Sequence, residues 1–237
     1  MKVIDVKQET PTIKSVTLAI GGIHFQYVSG QYVGITLDVA QPDEKGNVRA
    51  FSLVSSPTEN GRLMIAARER GSTFKQAFFK LKKGDTVKVS GPFGRLALHE
   101  NYHREAVMLC GGIGITPLRS MIVYATDEKL PLKITVFYSN RTPEEIAFKS
   151  ALDELQRRNK NLTVIYTVTR PDEAALPWSG RIGRIDSELV KEYVVDMKEA
   201  VFYICGPPVM VKEMLDMLSV FSIPAERIRV ENFTGYD

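Results

Sequence analysis

The chain has 237 residues, 44% hydrophobic and 25% charged, and 31 Lys+Arg against 28 Asp+Glu leave a formal charge of +3. That is room for one or two domains with cores of their own, and so weak a positive balance argues against a nucleic-acid-binding protein. Only Cys110 and Cys205 are cysteines, too few for a four-cysteine zinc or iron–sulfur site and no basis for a disulfide framework.

The opening residues alternate and carry charges, unlike a secretory signal. The most apolar run, Ala106 to Leu118, is too short and too glycine-rich to span a bilayer. A cytoplasmic location is therefore expected.

The first hundred residues read as β-structure. Short runs rich in β-branched and aromatic residues begin at Val3, Val16, Tyr32, Arg49, Leu63 and Thr86, and Gly, Pro, Asp and Asn separate them. Six such strands predict a small antiparallel barrel. One helix interrupts them, with Gly71, Ser72 and Thr73 at its start and Phe74, Ala77, Phe78 and Leu81 on one face.

From Ala106 the rhythm changes to strands alternating with helices. Strands are predicted at Ala106–Cys110, Leu132–Tyr138, Leu162–Val168, Val201–Ile204 and Arg227–Val230. Helices are predicted from Pro117 with Thr116 as cap, from a capping box at Thr142, Pro143 and Glu145, and from Pro207 with Met210, Met214, Leu215 and Leu218 inward. This alternation predicts an α/β doubly wound parallel sheet. The expected division is 1–100 for the barrel domain and 101–237 for the α/β domain.

Three segments carry chemistry. Cys110-Gly111-Gly112-Ile113-Gly114-Ile115-Thr116-Pro117 runs from a strand into a helix, where glycines and a helix N-terminus can hold a diphosphate. Cys205-Gly206-Pro207-Pro208-Val209-Met210 leaves a thiol at the carboxyl edge of the sheet, where ligands bind in open α/β folds. Arg49-Ala50-Phe51-Ser52 offers a phosphate fork, an aromatic face and a hydroxyl. Taken singly, each has a plain reading: a tight turn, a buried cysteine, an ordinary strand.

Together, in this order, they resemble the ferredoxin–NADP reductase superfamily. That family carries Arg-x-Tyr-Ser or Arg-x-Phe-Ser in a flavin-binding barrel, then Gly-Gly-x-Gly-x-x-Pro and Cys-Gly-Pro-x-x-Met in a pyridine-nucleotide domain. Its Glu-x-Phe ending has a counterpart in Glu231-Asn232-Phe233. The resemblance spans nearly the whole chain.

The resemblance implies a flavoprotein oxidoreductase with FAD, or alternatively FMN, taking hydride from NADPH or NADH. Arg49 and Gly71, Ser72 and Thr73 would hold flavin phosphate, Phe51 would pack on the flavin, and Ser52 would bond near its N5. Gly112, Gly114 and Thr116 would cradle the dinucleotide diphosphate. Cys205, with Gly206 and Pro207, would sit beside the nicotinamide. Glu231 would lie near the reaction centre, with Phe233 beside it. Ser139 and Arg141 fall where the adenosine ribose is expected, and the lack of an acid before Glu144 favours NADPH.

The acceptor is expected on a separate molecule: a ferredoxin-type iron–sulfur protein, an oxygenase component or a quinone. A flavin reductase using free flavin and an electron-transfer subunit of a larger complex are the alternatives. Related subunits often carry a C-terminal cysteine cluster, which Glu231 to Asp237 lacks. His99-Glu100-Asn101-Tyr102-His103 matches H-E-x-x-H, but it falls in a short polar stretch between the two rhythms, so no metal site is expected.

Overall fold

The computed structural model describes residues 1–39, 41–69 and 71–233, so residues 234–237 at the end of the expected second domain lie outside the described residues. The first half holds β1 (Lys2–Thr10), β2 (Ile13–Ala19), β3 (Tyr32–Thr36), β4 (Val48–Ser52), β5 (Arg62–Arg68), α1 (Thr73–Lys80) and β6 (Lys88–Phe93). Two antiparallel sheets result, ordered β1-β2-β5 and β4-β3-β6.

Backbone bonds join the two sheets on both sides. Val54 N–H donates to Met64 O at 2.8 Å, and Val3 N–H donates to Asp85 O at 2.8 Å. The barrel foreseen from the spacing of apolar runs is thereby closed. Val16, Leu18, Val33, Ile35, Leu63 and Ile65 fill it. Helix α1 lays Phe74 and Phe78, four residues apart and fully buried, onto that core. Ser72 caps it, its Oγ accepting from Lys75 N–H at 3.2 Å.

The second half holds β7 (Ala106–Gly111), α2 (Ile115–Asp127), β8 (Ile134–Asn140), α3 (Lys149–Arg158), β9 (Leu162–Val168), β10 (Arg181–Ile182), α4 (Ser187–Tyr193), β11 (Val201–Gly206), α5 (Pro208–Ser219) and β12 (Ile228–Asn232). All the pairings are parallel, in the order β10-β9-β8-β7-β11-β12. The chain steps outward from β7 to β8, β9 and β10, then returns to the other side of β7. The strand order therefore reverses between β7 and β11, and the carboxyl ends of those strands flank a crevice.

Three local expectations are corrected. Helix α2 starts at Ile115, two residues before Pro117, and Thr116 lies inside it with its Oγ1 donating to Ile113 O at 3.0 Å. The first turn has no intrahelical partners for its N–H groups, so a proline at the third position costs nothing there. The segment Pro143–Glu145 makes only one 3₁₀ turn, without a Thr142 side-chain cap. Ile146, Ala147 and Phe148 are all buried. Three consecutive buried residues cannot share one helix face, and α3 begins only after a left-handed Phe148 (φ 58°). In α5, Val211 takes the inward place expected for Leu215, which is exposed. The short elements β10 and α4 had no periodic signal long enough to announce them.

The two halves share a core. Ile13, Val54 and Ala66 of the barrel pack in one cluster with Met108, Leu118 and Met121 of the α/β half. Arg119 Nη1 donates to Val54 O at 2.8 Å, and Ser120 Oγ donates to Ser55 O at 2.6 Å. Among the described residues, no helix is long and apolar enough to cross a membrane.

Candidate active site

The crevice at the strand reversal is built from backbone. Gly112 adopts φ +53°, the left-handed region that favours glycine. Gly114 is required for a different reason: a Cβ there would stand 2.1 Å from Cys205 O. The glycine turn after β7 thus packs directly on the end of β11.

Beside this turn lies a cavity of about 190 Å³, lined by Arg68, Gly112, Ser139, Arg141, Glu145 and Pro207 among others. The structure therefore brings together four residues singled out in sequence, Gly112, Ser139, Arg141 and Pro207. Gly114 and Thr116 are buried beneath and do not line the cavity. The Thr116 hydroxyl donates to Ile113 O at 3.0 Å, within the first turn of α2. Arg68 has no functional part in the sequence reading, and Glu145 enters it only as the third residue of a capping box. They pair across the two halves at 3.0 Å, 77 residues apart, and neither local segment signals it.

On the barrel side, Arg49 lies half-buried at the start of β4. Its guanidinium donates to the carbonyls of Lys45, Gly46 and Val48, each at 2.8 Å, and pairs with Asp43. It also stands over the Phe74 ring, 5.1 Å from the centroid, close to the start of α1 where Gly71, Ser72 and Thr73 lie. Thr73 Oγ1 is buried without a hydrogen-bond partner. Phe51 is only 4% exposed. Its ring stacks on Phe78 at 5.1 Å, with the Lys75 ammonium 4.9 Å from its centroid.

Ser52, next in the strand, points the other way, as β alternation requires. Its Oγ donates to Glu231 Oε1 at 3.0 Å. Parallel register sets Cys205 of β11 opposite Cys110 on one side and Glu231 of β12 on the other. Burial pushes both thiols up, so neither is a thiolate near neutrality. Burial also raises the Glu231 carboxyl to about 7, partly offset by the Ser52 bond. Its second oxygen, Oε2, is buried without a partner. Phe233 N–H donates to Gly206 O at 3.0 Å, which holds Phe233 beside the end of the same strand. Barrel hydroxyl, titratable carboxyl and buried thiol thus converge at the crevice.

Residues 2–98 match the oxidoreductase FAD-binding domain, and residues 108–216 match the oxidoreductase NAD-binding domain. The chain belongs to the ferredoxin–NADP reductase superfamily. Among curated relatives of this superfamily member are NADH-cytochrome b5 reductase 1 of Neosartorya fischeri and a component of the Na(+)-translocating NADH-quinone reductase of Haemophilus influenzae. The first is 30% identical over 196 residues, 78% of this chain and 61% of the relative. The second is 32% identical over 208 residues, 79% of this chain and 49% of the relative. The chain therefore aligns to about half to three-fifths of the length of these relatives.

Solved structures share the fold end to end. The FAD/NAD-binding domain of nitric oxide dioxygenase from Vibrio cholerae superposes with a TM-score of 0.85 at 21% identity, covering 98% of this chain and 97% of that one. The ferredoxin NADP+ reductase of Neisseria gonorrhoeae, with bound FAD and NADP, gives 0.78 at 24% identity, covering 98% and 96%.

The residues present fit both cofactors of the family. The unpartnered Thr73 Oγ1 and the arginine beside the start of α1 suit a flavin phosphate. The left-handed glycine turn beside a cavity with Arg68 and Arg141 suits a dinucleotide diphosphate. The H-E-x-x-H segment has a different use. It forms no helix, and both His99 ring nitrogens are engaged, Nδ1 with Tyr203 Oη and Nε2 with Arg104 O, each at 2.9 Å.

Proposed function

We propose that this protein takes hydride from NADPH or NADH onto a bound FAD and passes the electrons to an acceptor on a separate molecule. The observation that carries this reading is the Ser52–Glu231 bond. It joins the barrel's Arg-x-Phe-Ser strand to the end of the parallel sheet, beside Cys205 and at the point of strand reversal. The chain divides functionally into 1–100 for flavin and 101–237 for the nicotinamide dinucleotide.

When bound, the flavin supplies the capacity to accept a hydride and release electrons singly or in pairs. The protein's part is alignment and charge matching. Arg49 and the start of α1 at Gly71, Ser72 and Thr73 hold flavin phosphate, with Arg49 exchanging Asp43 for it. Ser52 presents its hydroxyl to the ring edge. Phe51 supports the flavin site from within the barrel core. Gly112 presents backbone to the dinucleotide diphosphate, with Gly206 and Pro207 across the crevice, and Gly114 sets the distance between the two glycine-rich turns. Ser139 and Arg141 receive the adenosine ribose, Arg141 favouring a 2′-phosphate. Cys205, a neutral thiol, packs beside the nicotinamide and keeps water out. Glu231 exchanges a proton through Ser52 Oγ, and Phe233 covers it.

The relatives' names point to cytochrome b5 and quinone as acceptor classes, and an iron–sulfur protein or oxygenase component fits the same chemistry. The test is mass identification of the flavin released from purified protein, with turnover of NADPH and NADH by the isolated chain against an artificial acceptor. Retained FAD and turnover are expected. A protein that carries no flavin after gel filtration, yet turns over added free flavin, would instead be a flavin reductase. A protein that does neither contradicts the proposal.

A further inference from the structure

Tyr138 is fully buried on β8, yet its hydroxyl reaches the glycine turn after β7. It donates to Gly112 O at 2.9 Å. In-register pairing of β8 with β7 sets Tyr138 opposite Cys110, two residues before Gly112, so the sheet itself delivers the phenol to this carbonyl. The Asn140 side chain approaches the same hydroxyl, though neither of its amide atoms meets a partner at hydrogen-bonding geometry.

The direction of that bond has a consequence for the cavity. The Gly112–Ile113 peptide is trans, since Gly91–Pro92 is the cis bond among the described residues. In a trans peptide the C=O and N–H point opposite ways. With Gly112 O held by the Tyr138 hydroxyl, Ile113 N–H is directed away from that hydroxyl. Gly112 and Ile113 both line the cavity. Gly112 can turn this way because it is left-handed, and a glycine has few other restraints on its torsions.

We infer that Tyr138 is a positioning residue: by anchoring Gly112 O it aims the Ile113 N–H at the diphosphate of the nicotinamide dinucleotide. It touches neither cofactor nor substrate and acts only through the turn. The inference rests on the proposed binding of NAD(P)H at this cavity.

Two hydride donors separate its effects. NADPH, or NADH if that is the better donor, carries a diphosphate; N-benzyl-1,4-dihydronicotinamide does not. Tyr138→Phe keeps the buried ring and removes only the hydroxyl. Loss of one neutral hydrogen bond is expected to raise KM for the dinucleotide roughly three- to tenfold, with kcat within about twofold. Reduction by N-benzyl-1,4-dihydronicotinamide and flavin content should match wild type. Equal loss with both donors, or no change with either, overturns the inference and leaves the proposed function standing. A wild-type protein reduced by N-benzyl-1,4-dihydronicotinamide but by neither NADPH nor NADH overturns both.

Discussion

Ser52 Oγ and Glu231 Oε1, 179 residues apart in sequence, meet at 3.0 Å where the barrel abuts the parallel sheet. The bond ties the ends of two sheets that belong to different halves of the chain. It also leaves a carboxyl buried, with one oxygen satisfied and one not.

That carboxyl sets a pH dependence. Folding raises its pKa from 4.5 to about 7, chiefly through burial. A carboxyl raised in this way contributes stability that is fully present below 4.5 and is lost as pH rises through about 7. Glu231→Gln cannot ionise. Relative to the variant, wild type should lose about 1 kcal/mol or more between pH 5 and 8. Urea unfolding of both proteins across that range checks the sign, and parallel curves would contradict it.

Gly114 stands where a methyl group would meet the Cys205 carbonyl at 2.1 Å, a backbone atom that cannot swing aside. Gly114→Ala should therefore destabilise the protein by about 3 kcal/mol and weaken dinucleotide binding, since the turn after β7 must move. Gly22→Ala is the control. Nothing lies within 4 Å of its added carbon, and a change within about 0.5 kcal/mol is expected by thermal unfolding.

Arg119 couples the halves through Val54 O at 2.8 Å and Glu59 at 3.1 Å. Burial drives the Glu59 carboxyl up, but Arg119, the Ser56 N–H and Arg62 more than offset it, so it ends below its usual range. Arg119→Met strips the buried carboxylate of its main partner and should cost about 3 kcal/mol in urea unfolding. Glu59 contributes stability above its unfolded pKa of 4.5 and loses it on acidification. The wild-type advantage over Arg119→Met should accordingly shrink as pH falls below 4.5.

Arg141 lines the cavity just past the end of β8, where the proposed function puts the adenosine ribose. Arg141→Ala should raise KM for NADPH about tenfold and KM for NADH less than twofold, the loss of a charge-assisted contact to a 2′-phosphate. Steady-state kinetics with both donors decides it. Equal effects would place the arginine outside the ribose subsite.

The strands were legible because each half has a uniform rhythm. Val16 and Leu18 alternate as a barrel wall must, and the Ala106–Cys110 run is apolar throughout as a central parallel strand must be. The start of α1 at Gly71, Ser72 and Thr73 was legible because a capping bond is local, here three residues long from Ser72. The errors fell where tertiary burial overrode a local rule. Thr142 and Glu145 form a sound capping box on paper, yet Ile146, Ala147 and Phe148 must all be buried, and Glu145 is drawn to Arg68 instead. The motifs pointed to Arg49, Ser52, Gly112, Cys205 and Glu231, of which Ser52 and Glu231 meet across the two halves. They were silent on Arg68, Tyr138 and Arg119, whose partners lie 77, 26 and 65 residues away.

The most direct test of the central claim is anaerobic mixing of the purified, flavin-loaded protein with NADPH and separately with NADH, followed by absorption. The account predicts stoichiometric bleaching of the flavin band by at least one donor, with recovery when an electron acceptor is added. A flavin band unchanged by excess of both donors would contradict it.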